Sequence, residues 1–103
     1  AVAGGAELLT VIACWPAKRS EQWVRLLQAR AIENLAPVVG VNRCGEEPNL
    51  TFDGRSCAFD HMGNTLFEAS DAEQVLSAEI DVAAARIWRD KFPALRDMDL
   101  SAQ

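Results

Sequence analysis

Short apolar runs, interrupted by proline, glycine and polar clusters, divide the chain into seven helices and strands. The run Leu8–Ala13 is rich in β-branched residues, which predicts a strand buried on both faces. Pro16 follows it and cannot donate to a strand ladder. Ser20, followed by acidic and polar residues, predicts the N-cap of a helix that ends at about Asn34 or Leu35.

The rest of the chain is predicted to form the other strands and a second helix. In order, the pattern predicts a strand at Pro37–Arg43, a polar loop at Gly45–Asn49, a strand at Thr51–Phe59, a turn at Asp60–Gly63, strands at Thr65–Ala69 and Val75–Ile80, and a last helix that is capped by Asp81 and runs through Phe92. The order β-α-β-β-β-β-α predicts an α/β fold: one mixed sheet with helices on one face.

Both predicted helices carry one apolar face. At about 100° per residue, the first helix groups these residues on one side: Trp23, Leu26, Leu27, Arg30, Ala31 and Asn34. Arg30 is therefore expected either to pair with a carboxylate or loop carbonyls, or to belong to a pocket or subunit interface, because an unpaired buried charge is very costly. In the last helix the predicted core side comprises Ala83, Ala84, Ile87, Trp88 and Phe92, with Arg86, Arg89 and Asp90 opposite.

Composition fits one small domain with no preference for anionic partners. The chain has 103 residues, half of them apolar, and 10 Lys+Arg against 15 Asp+Glu give a net charge of −5. This acidic balance argues against nucleic acid or an anionic membrane surface as a partner. No apolar run approaches the roughly 20 residues of a membrane span. No basic segment followed by an apolar one suggests a secretory signal, so a cytoplasmic location is expected.

The side chains with the strongest chemistry are three cysteines and one histidine. Cys14, Cys44 and Cys57 are odd in number and lack CxxC spacing, which favours free thiols in a reducing compartment. With His61 as the only histidine, neither a metal nor another cofactor is expected, and a Ser-His-Asp triad is unsupported. Cys14 is the best-placed thiol, at the carboxyl end of a predicted buried strand. The residues alone thus predict an α/β domain with a candidate pocket at Cys14 and Trp15.

Several short motifs, in order, resemble the C-terminal part of the nitrilase or carbon–nitrogen hydrolase superfamily, close to its omega-amidase-like members. The motifs are GAELL at Gly5–Leu9, AxWP at Ala13–Pro16, Arg19, Trp23 with Leu26-Leu27, ARAIEN at Ala29–Asn34, VVGVNRxG at Val38–Gly45, FDGxS at Phe52–Ser56, DxxG at Asp60–Gly63, AEID at Ala78–Asp81 and RxxFP at Arg89–Pro93. The resemblance covers nearly the whole chain, and ARAIEN followed by VVGVNR is its most specific part.

The resemblance implies the C-terminal portion of an α-β-β-α sandwich, with residues 1–103 forming one partial domain. It also implies amide or nitrile hydrolysis through a cysteine thioester, with a glutamate as base and a lysine that stabilises the oxyanion. In the family all three groups would precede Ala1, so no catalytic residue is assigned in this chain. Cys14 occupies a variable position just before Trp15 and is not the nucleophile. Cys14 and Trp15 are the expected substrate contacts.

Two hypotheses of different classes follow. In the first, the chain is a C-terminal fragment of a carbon–nitrogen hydrolase, inactive alone and completed by a chain that supplies the N-terminal half. In the second, it is a non-catalytic, self-associating α/β module that binds a small molecule or a partner near Trp15. Half a sandwich exposes an apolar sheet face, so a homo-oligomer is expected in either case.

Overall fold

The computed structural model describes residues 4–91, which form six strands and two α-helices. The elements are β1 (Leu9–Ala13), α1 (Ser20–Asn34), β2 (Val38–Asn42), β3 (Cys44–Glu47), β4 (Leu50–Asp53), β5 (Cys57–Phe59), β6 (Thr65–Glu68) and α2 (Val82–Lys91), with one turn of 3-10 helix at Ala17–Arg19 before α1.

Four of the strands form one mixed sheet in the order β1-β2-β5-β6. β1 and β2 are parallel and joined by α1, whereas β2–β5 and β5–β6 are antiparallel. β3 and β4 form a separate antiparallel hairpin. The expected α/β class with a mixed sheet is therefore confirmed.

The core lies between α1 and one face of this sheet. From α1 the buried residues include Trp23, Val24, Leu27 and Ala31, and from the sheet Val38, Cys57 and Phe59. Gly40 of β2 faces the helix at its closest approach: a Cβ built there would overlap Leu27 and lie 2.9 Å from the Trp23 ring. A glycine at this position is what lets the two large side chains lie directly on the strand.

The opposite face of the sheet is open around β1 and β2. Ile12 and Val41 are register partners on that face and are 82% and 47% exposed. Within residues 4–91, β1 pairs only with β2, so its other edge carries no strand. The expectation that β1 is buried on both faces is therefore wrong for this chain.

Helix α1 begins with Ser20 as its first helical residue rather than as its cap, because the 3-10 turn precedes it. It ends as predicted at Asn34, and Leu35 takes the left-handed conformation with φ +52° as the C-cap. Arg30 is exposed and lines a small concave surface together with Trp15 and Leu26, in line with the pocket alternative. The apolar face of α1 is shifted toward Val24, which is 3% exposed, while Leu26 is 46% exposed.

Asp81 caps α2 as predicted, because its carboxylate accepts a hydrogen bond from the Ala84 N–H at 2.9 Å. The predicted faces of this helix are right for the half-buried Trp88 and for the exposed Arg86 and Asp90, but wrong for Arg89 and Ile87. Arg89 points toward the end of α1, where its guanidinium donates to the carbonyl oxygens of Leu35 (3.0 Å) and Ala6 (3.2 Å). Ile87 is instead 56% exposed. A long arginine side chain can reach the free carbonyls at a helix C-terminus. Phe92, the predicted end of the helix, lies outside the described residues.

Three boundaries in the middle of the chain differ from the prediction. The single strand expected at Thr51–Phe59 is divided into β4 and β5, because Gly54 and Arg55 both have positive φ, +69° and +52°. The loop expected at Gly45–Asn49 is partly β3. The strand expected at Val75–Ile80 does not form, and Val75 is 94% exposed.

The turn predicted at Asp60–Gly63 is present, with Gly63 at φ +84°. The Asp60 carboxylate accepts hydrogen bonds from the backbone N–H groups of Met62 and Asn64, both at 2.9 Å. Burial would raise the pKa of Asp60, but the hydrogen bonds from Asn64 and Met62 outweigh it, so the pKa lies below its usual value.

Candidate functional site

Cys14 and Trp15 lie at the carboxyl end of β1, beside the carboxyl end of β2. The two strands are parallel and Ala13 is opposite Asn42. The pairing continues for one hydrogen bond, from the Arg43 N–H to the Ala13 carbonyl at 3.2 Å. The carboxyl edge of parallel strands is where α/β proteins commonly bind their ligands, so this edge is the candidate site.

The buried side chain of Asn42 holds this edge together. Its Oδ1 accepts from the Trp15 backbone N–H at 2.7 Å, and its Nδ2 donates to the Trp15 carbonyl at 3.0 Å and to the Gly54 carbonyl at 2.9 Å. Its own backbone N–H donates to Ser56 Oγ at 2.9 Å. Asn42 as a whole is 7% exposed, and each of its polar atoms takes part in a hydrogen bond. Sequence reasoning had not selected Asn42, although a polar residue ending an apolar strand was the available signal.

The ring of Trp15 is directed toward α1 and its amino-terminal turn. Its indole N–H donates to the Arg19 carbonyl, and the Arg19 guanidinium lies 5.3 Å from the ring centroid. The ring of Trp23 lies 6.2 Å away, tilted by 39°. Trp15 is half-buried, whereas the neighbouring Cys14 is exposed. The structure therefore brings the two predicted site residues to one edge but gives them different surroundings.

Arg43 brings positive charge to the same edge. Its guanidinium donates to the Glu47 carboxylate at 2.6 Å and lies 4.4 Å from the centroid of the Phe52 ring. The hydrogen bond to Glu47 is the main reason that the pKa of Arg43 is raised. The charge of Arg43 at this edge is therefore paired with a carboxylate.

A concave surface begins beside this edge, on the sheet face opposite α1. It is mostly apolar, and its lining includes Val41, Cys44, Phe67, Val75 and Leu76. The charged members of the lining are Arg43 and Glu73. The outward direction of alternate residues in β2 was the signal that could have predicted this surface.

The surroundings of the thiols and of the histidine bear on whether the described residues can supply a nucleophile. Burial, with a smaller contribution from Glu68, raises the pKa of the Cys57 thiol to about 11, so this sulfur is protonated at neutral pH. Within residues 4–91, no cysteine sulfur is hydrogen-bonded to a carboxylate or an imidazole. His61 lies in the turn after β5, where its ring centroid is 6.4 Å from that of Trp88. No group of three or more His, Cys, Asp or Glu residues in the described part of the chain is arranged to hold a metal ion.

Residues 1–90 match the model of the carbon–nitrogen hydrolase family. The chain therefore belongs to this family. It is 44% identical over 96 residues to "Omega-amidase YafV" of Escherichia coli and 37% identical over 94 residues to "2-oxoglutaramate amidase" of Bacillus subtilis. It spans about 37% of the length of the first of these relatives and 36% of the second, while 90% and 91% of this chain are covered.

Solved structures give the same result for the fold. The structure of a CN-hydrolase superfamily protein from Xanthomonas campestris superimposes with a TM-score of 0.83 at 41% identity, covering 88% of this chain and 35% of that one. The NitFhit protein of Caenorhabditis elegans gives a TM-score of 0.80 at 31% identity, over 89% of this chain and 23% of that one. The described residues thus form part of a nitrilase-type domain. Among them, no helix is both long enough and apolar enough to span a membrane.

Proposed function

We propose that this chain is the C-terminal part of a carbon–nitrogen hydrolase of the omega-amidase type, and that it does not hydrolyse amides by itself. The observation that carries the proposal is the identity of 44% to an omega-amidase over 90% of this chain but only 37% of that enzyme. The raised pKa of the buried Cys57 thiol supports the second half of the proposal, as does the lack, within residues 4–91, of a hydrogen bond from any cysteine sulfur to a carboxylate or an imidazole. The glutamate, lysine and cysteine of the thioester mechanism are then supplied by another part of the domain.

The open sheet face is the surface on which the rest of the domain would lie. Ile12 and Val41 project from it, and the mostly apolar concave surface adjoins them. Burying apolar surface contributes about 25 cal/mol per Å², so a few hundred Å² supply several kcal/mol toward association. The uncovered edge of β1 adds a row of backbone groups that a further parallel strand can pair with. Both features favour completion by a second sheet and an added strand.

In the completed domain the Cys14–Trp15 segment would form one wall of the substrate pocket. It lies at the carboxyl edge of the parallel strands, with the Cys14 side chain exposed. The proposed substrate class is the monoamides of dicarboxylic acids, which the identity of 44% to an omega-amidase supports. In this proposal the chain contributes binding rather than chemistry.

The experiment compares the chain alone with a single-chain chimera. In the chimera, this chain replaces the matched segment of the Escherichia coli omega-amidase. Ammonia release from a dicarboxylic acid monoamide is expected from the chimera and not from the isolated chain. Turnover by the isolated chain would contradict its proposed inactivity, and a folded but inactive chimera would contradict its role as the C-terminal part of such an enzyme.

A pair of matched variants tests the role of the open face. Val41→Asp places a charge on that face and should abolish folding, and with it the activity, of the chimera, because burying an unpaired carboxylate is costly. Ile87→Asp makes the same change at an exposed position of α2 and should leave the activity within about twofold, as expected for a surface substitution. Equal effects of the two variants would contradict the assignment of the face.

The same exposed face favours the second candidate, a non-catalytic module that associates with copies of itself. Sedimentation of the isolated chain at micromolar concentration should then detect a dimer or larger species, and Val41→Asp should convert it to monomer. Self-association together with an inactive chimera would favour this second function over the first. A monodisperse wild-type monomer would contradict the expected homo-oligomer.

A further inference from the structure

We propose that Asn42 is the positioning residue of the candidate site, because its carboxamide fixes the backbone of the Cys14–Trp15 segment. The proposal rests on the function proposed above, in which this segment forms a wall of the substrate pocket. It assigns to Asn42 no contact with the substrate. Its effect on binding is exerted through the position of Trp15 and, next to it, Cys14.

The segment needs such a residue because the strand ladder ends before it. The last ladder hydrogen bond joins the Arg43 N–H to the Ala13 carbonyl. Three residues after Ala13, Pro16 has no N–H to donate. The N–H and carbonyl of Trp15 are therefore without backbone partners, and both are taken by the one carboxamide of Asn42, at 2.7 and 3.0 Å. The side chain replaces the strand that the segment lacks.

The carboxamide is also fixed from its other side. Its second N–H donates to the Gly54 carbonyl at 2.9 Å, so both amide protons are used. The Gly54 N–H in turn donates to the Arg43 carbonyl at 3.1 Å, and Gly54 sits at φ +69°. Asn42 therefore has one orientation that satisfies all its partners. That orientation joins the end of β1 to the turn that follows β4.

Cys14 is held from both sides by this arrangement. The Ala13 carbonyl before it is bound by Arg43, and the Trp15 N–H after it is bound by Asn42. Its thiol is exposed although both flanking peptide groups are immobilised. A side chain presented from such a fixed backbone can contact a ligand without first losing conformational freedom.

Only asparagine combines the required acceptor and donors at this length. Aspartate keeps the acceptor for the Trp15 N–H but turns a carboxylate oxygen toward two carbonyl oxygens, those of Trp15 and Gly54. Serine retains at most one donor on a shorter side chain. Asn42→Asp therefore removes two of the three side-chain bonds and adds repulsion, whereas Asn42→Ser removes bonds without adding charge.

The first test measures amide hydrogen exchange at Trp15 in the complete 103-residue chain by NMR. Loss of the Asn42 side-chain bonds should accelerate exchange by about 10-fold or more in Asn42→Asp and Asn42→Ser, because the Trp15 backbone is then no longer held closed on both sides. Asn34→Asp is the matched control, because its side chain bonds only the Arg30 carbonyl at the helix surface, and it should leave the Trp15 rate unchanged. Unchanged exchange in both Asn42 variants would overturn the proposal.

The second test uses the active chimera and a dicarboxylic acid monoamide. Asn42→Ser should raise KM about 10-fold while kcat changes by less than about threefold, because the reacting groups lie on the other part of the domain. A proportional loss of kcat at constant KM, as expected from a smaller amount of folded enzyme, would contradict a positioning role. If the wild-type chimera is inactive, the proposed function fails, whereas the exchange measurement still decides whether Asn42 fixes the Cys14–Trp15 segment.

Discussion

Replacing Gly40 by alanine tests how closely α1 packs on the sheet. The strand at Gly40 does not have a left-handed backbone, so the substitution changes packing and not backbone strain. The new Cβ overlaps Leu27 Cδ1 and lies 2.9 and 3.3 Å from two carbons of the Trp23 ring. Ordinary carbon–carbon contacts are about 3.5–4.0 Å, so both neighbours must move.

Neither neighbour can move freely. Leu27 is 1% exposed and Trp23 is 3% exposed. The Trp23 ring is further held by the hydrogen bond from its indole N–H to the Arg55 carbonyl at 2.9 Å. Overpacking of this kind costs about 1–3 kcal/mol, and the overlap with two fixed groups puts the expected cost at about 2–3 kcal/mol. The melting temperature should fall by about 10–20 °C at this chain length.

The assay is thermal and urea unfolding followed by circular dichroism. Gly40→Ala and Leu27→Ala are measured separately and together in a double-mutant cycle. Leu27→Ala alone should cost about 2–5 kcal/mol because it leaves a cavity. In the double variant the new methyl group occupies part of that cavity, so the combined cost should fall short of the sum by at least about 1 kcal/mol. Gly45→Ala is the control: it meets no neighbour but has φ +120°, and Leu27→Ala should not relieve its cost. Additive costs for Gly40→Ala and Leu27→Ala would refute the packing argument.

Three further predictions concern single side chains. Asp81→Ala should lower the unfolding free energy by about 1 kcal/mol through loss of the N-cap bond to Ala84, and an unchanged urea midpoint would remove that assignment. The lowered pKa of Asp60 contributes stability that is fully present above the ordinary pKa of a carboxyl group and is lost as the pH falls through the pKa of the folded state. Asp60→Asn should therefore make the urea midpoint fall less steeply between neutral and acidic pH, and a fall parallel to that of the wild type would contradict this. With its pKa at about 11, Cys57 should resist alkylation at pH 8 under conditions that modify the exposed Cys14; labelling of Cys57 at the same rate would contradict its burial.

Local signals predicted the elements that depend on local physics. The apolar run of β1, the helix from Ser20 to Asn34 and the turn ending at Gly63 are fixed by hydrophobic periodicity, by proline and by a glycine with positive φ. The Asp81 cap is local as well, since donor and acceptor are three residues apart. These are the features that the sequence alone predicted correctly.

Elements that depend on distant partners were missed. The polar strand β3 is stabilised by its pairing with β4 and by the contact of Arg43 with the Phe52 ring. The sequence of β3 has no alternation of apolar residues that would predict a strand. Val75–Ile80 has strand-like alternation but, within the described residues, no partner strand, and a strand requires a ladder. Arg89 was placed on a solvated face because its reach to the end of α1 is set by tertiary contact.

The candidate site was half predictable from the sequence. The position of Cys14 and Trp15 at a strand end followed from the apolar run and Pro16. Their resemblance to family motifs then suggested a substrate wall. The role of Asn42 could not be predicted, because its bonds to Trp15 cross 27 positions of sequence. A motif shows that such an asparagine is present, whereas only coordinates show which backbone groups it binds.

The uncovered edge of β1 has a consequence for handling the chain in isolation. The strand Leu9–Ala13 carries no charged residue or proline of the kind that protects exposed strand edges. Another copy can therefore add its β6 edge to it by backbone hydrogen bonds, and the β1 edge of that copy then stays open for the next. Concentrated solutions of the isolated chain are accordingly expected to deposit fibrils with a cross-β reflection at about 4.7 Å.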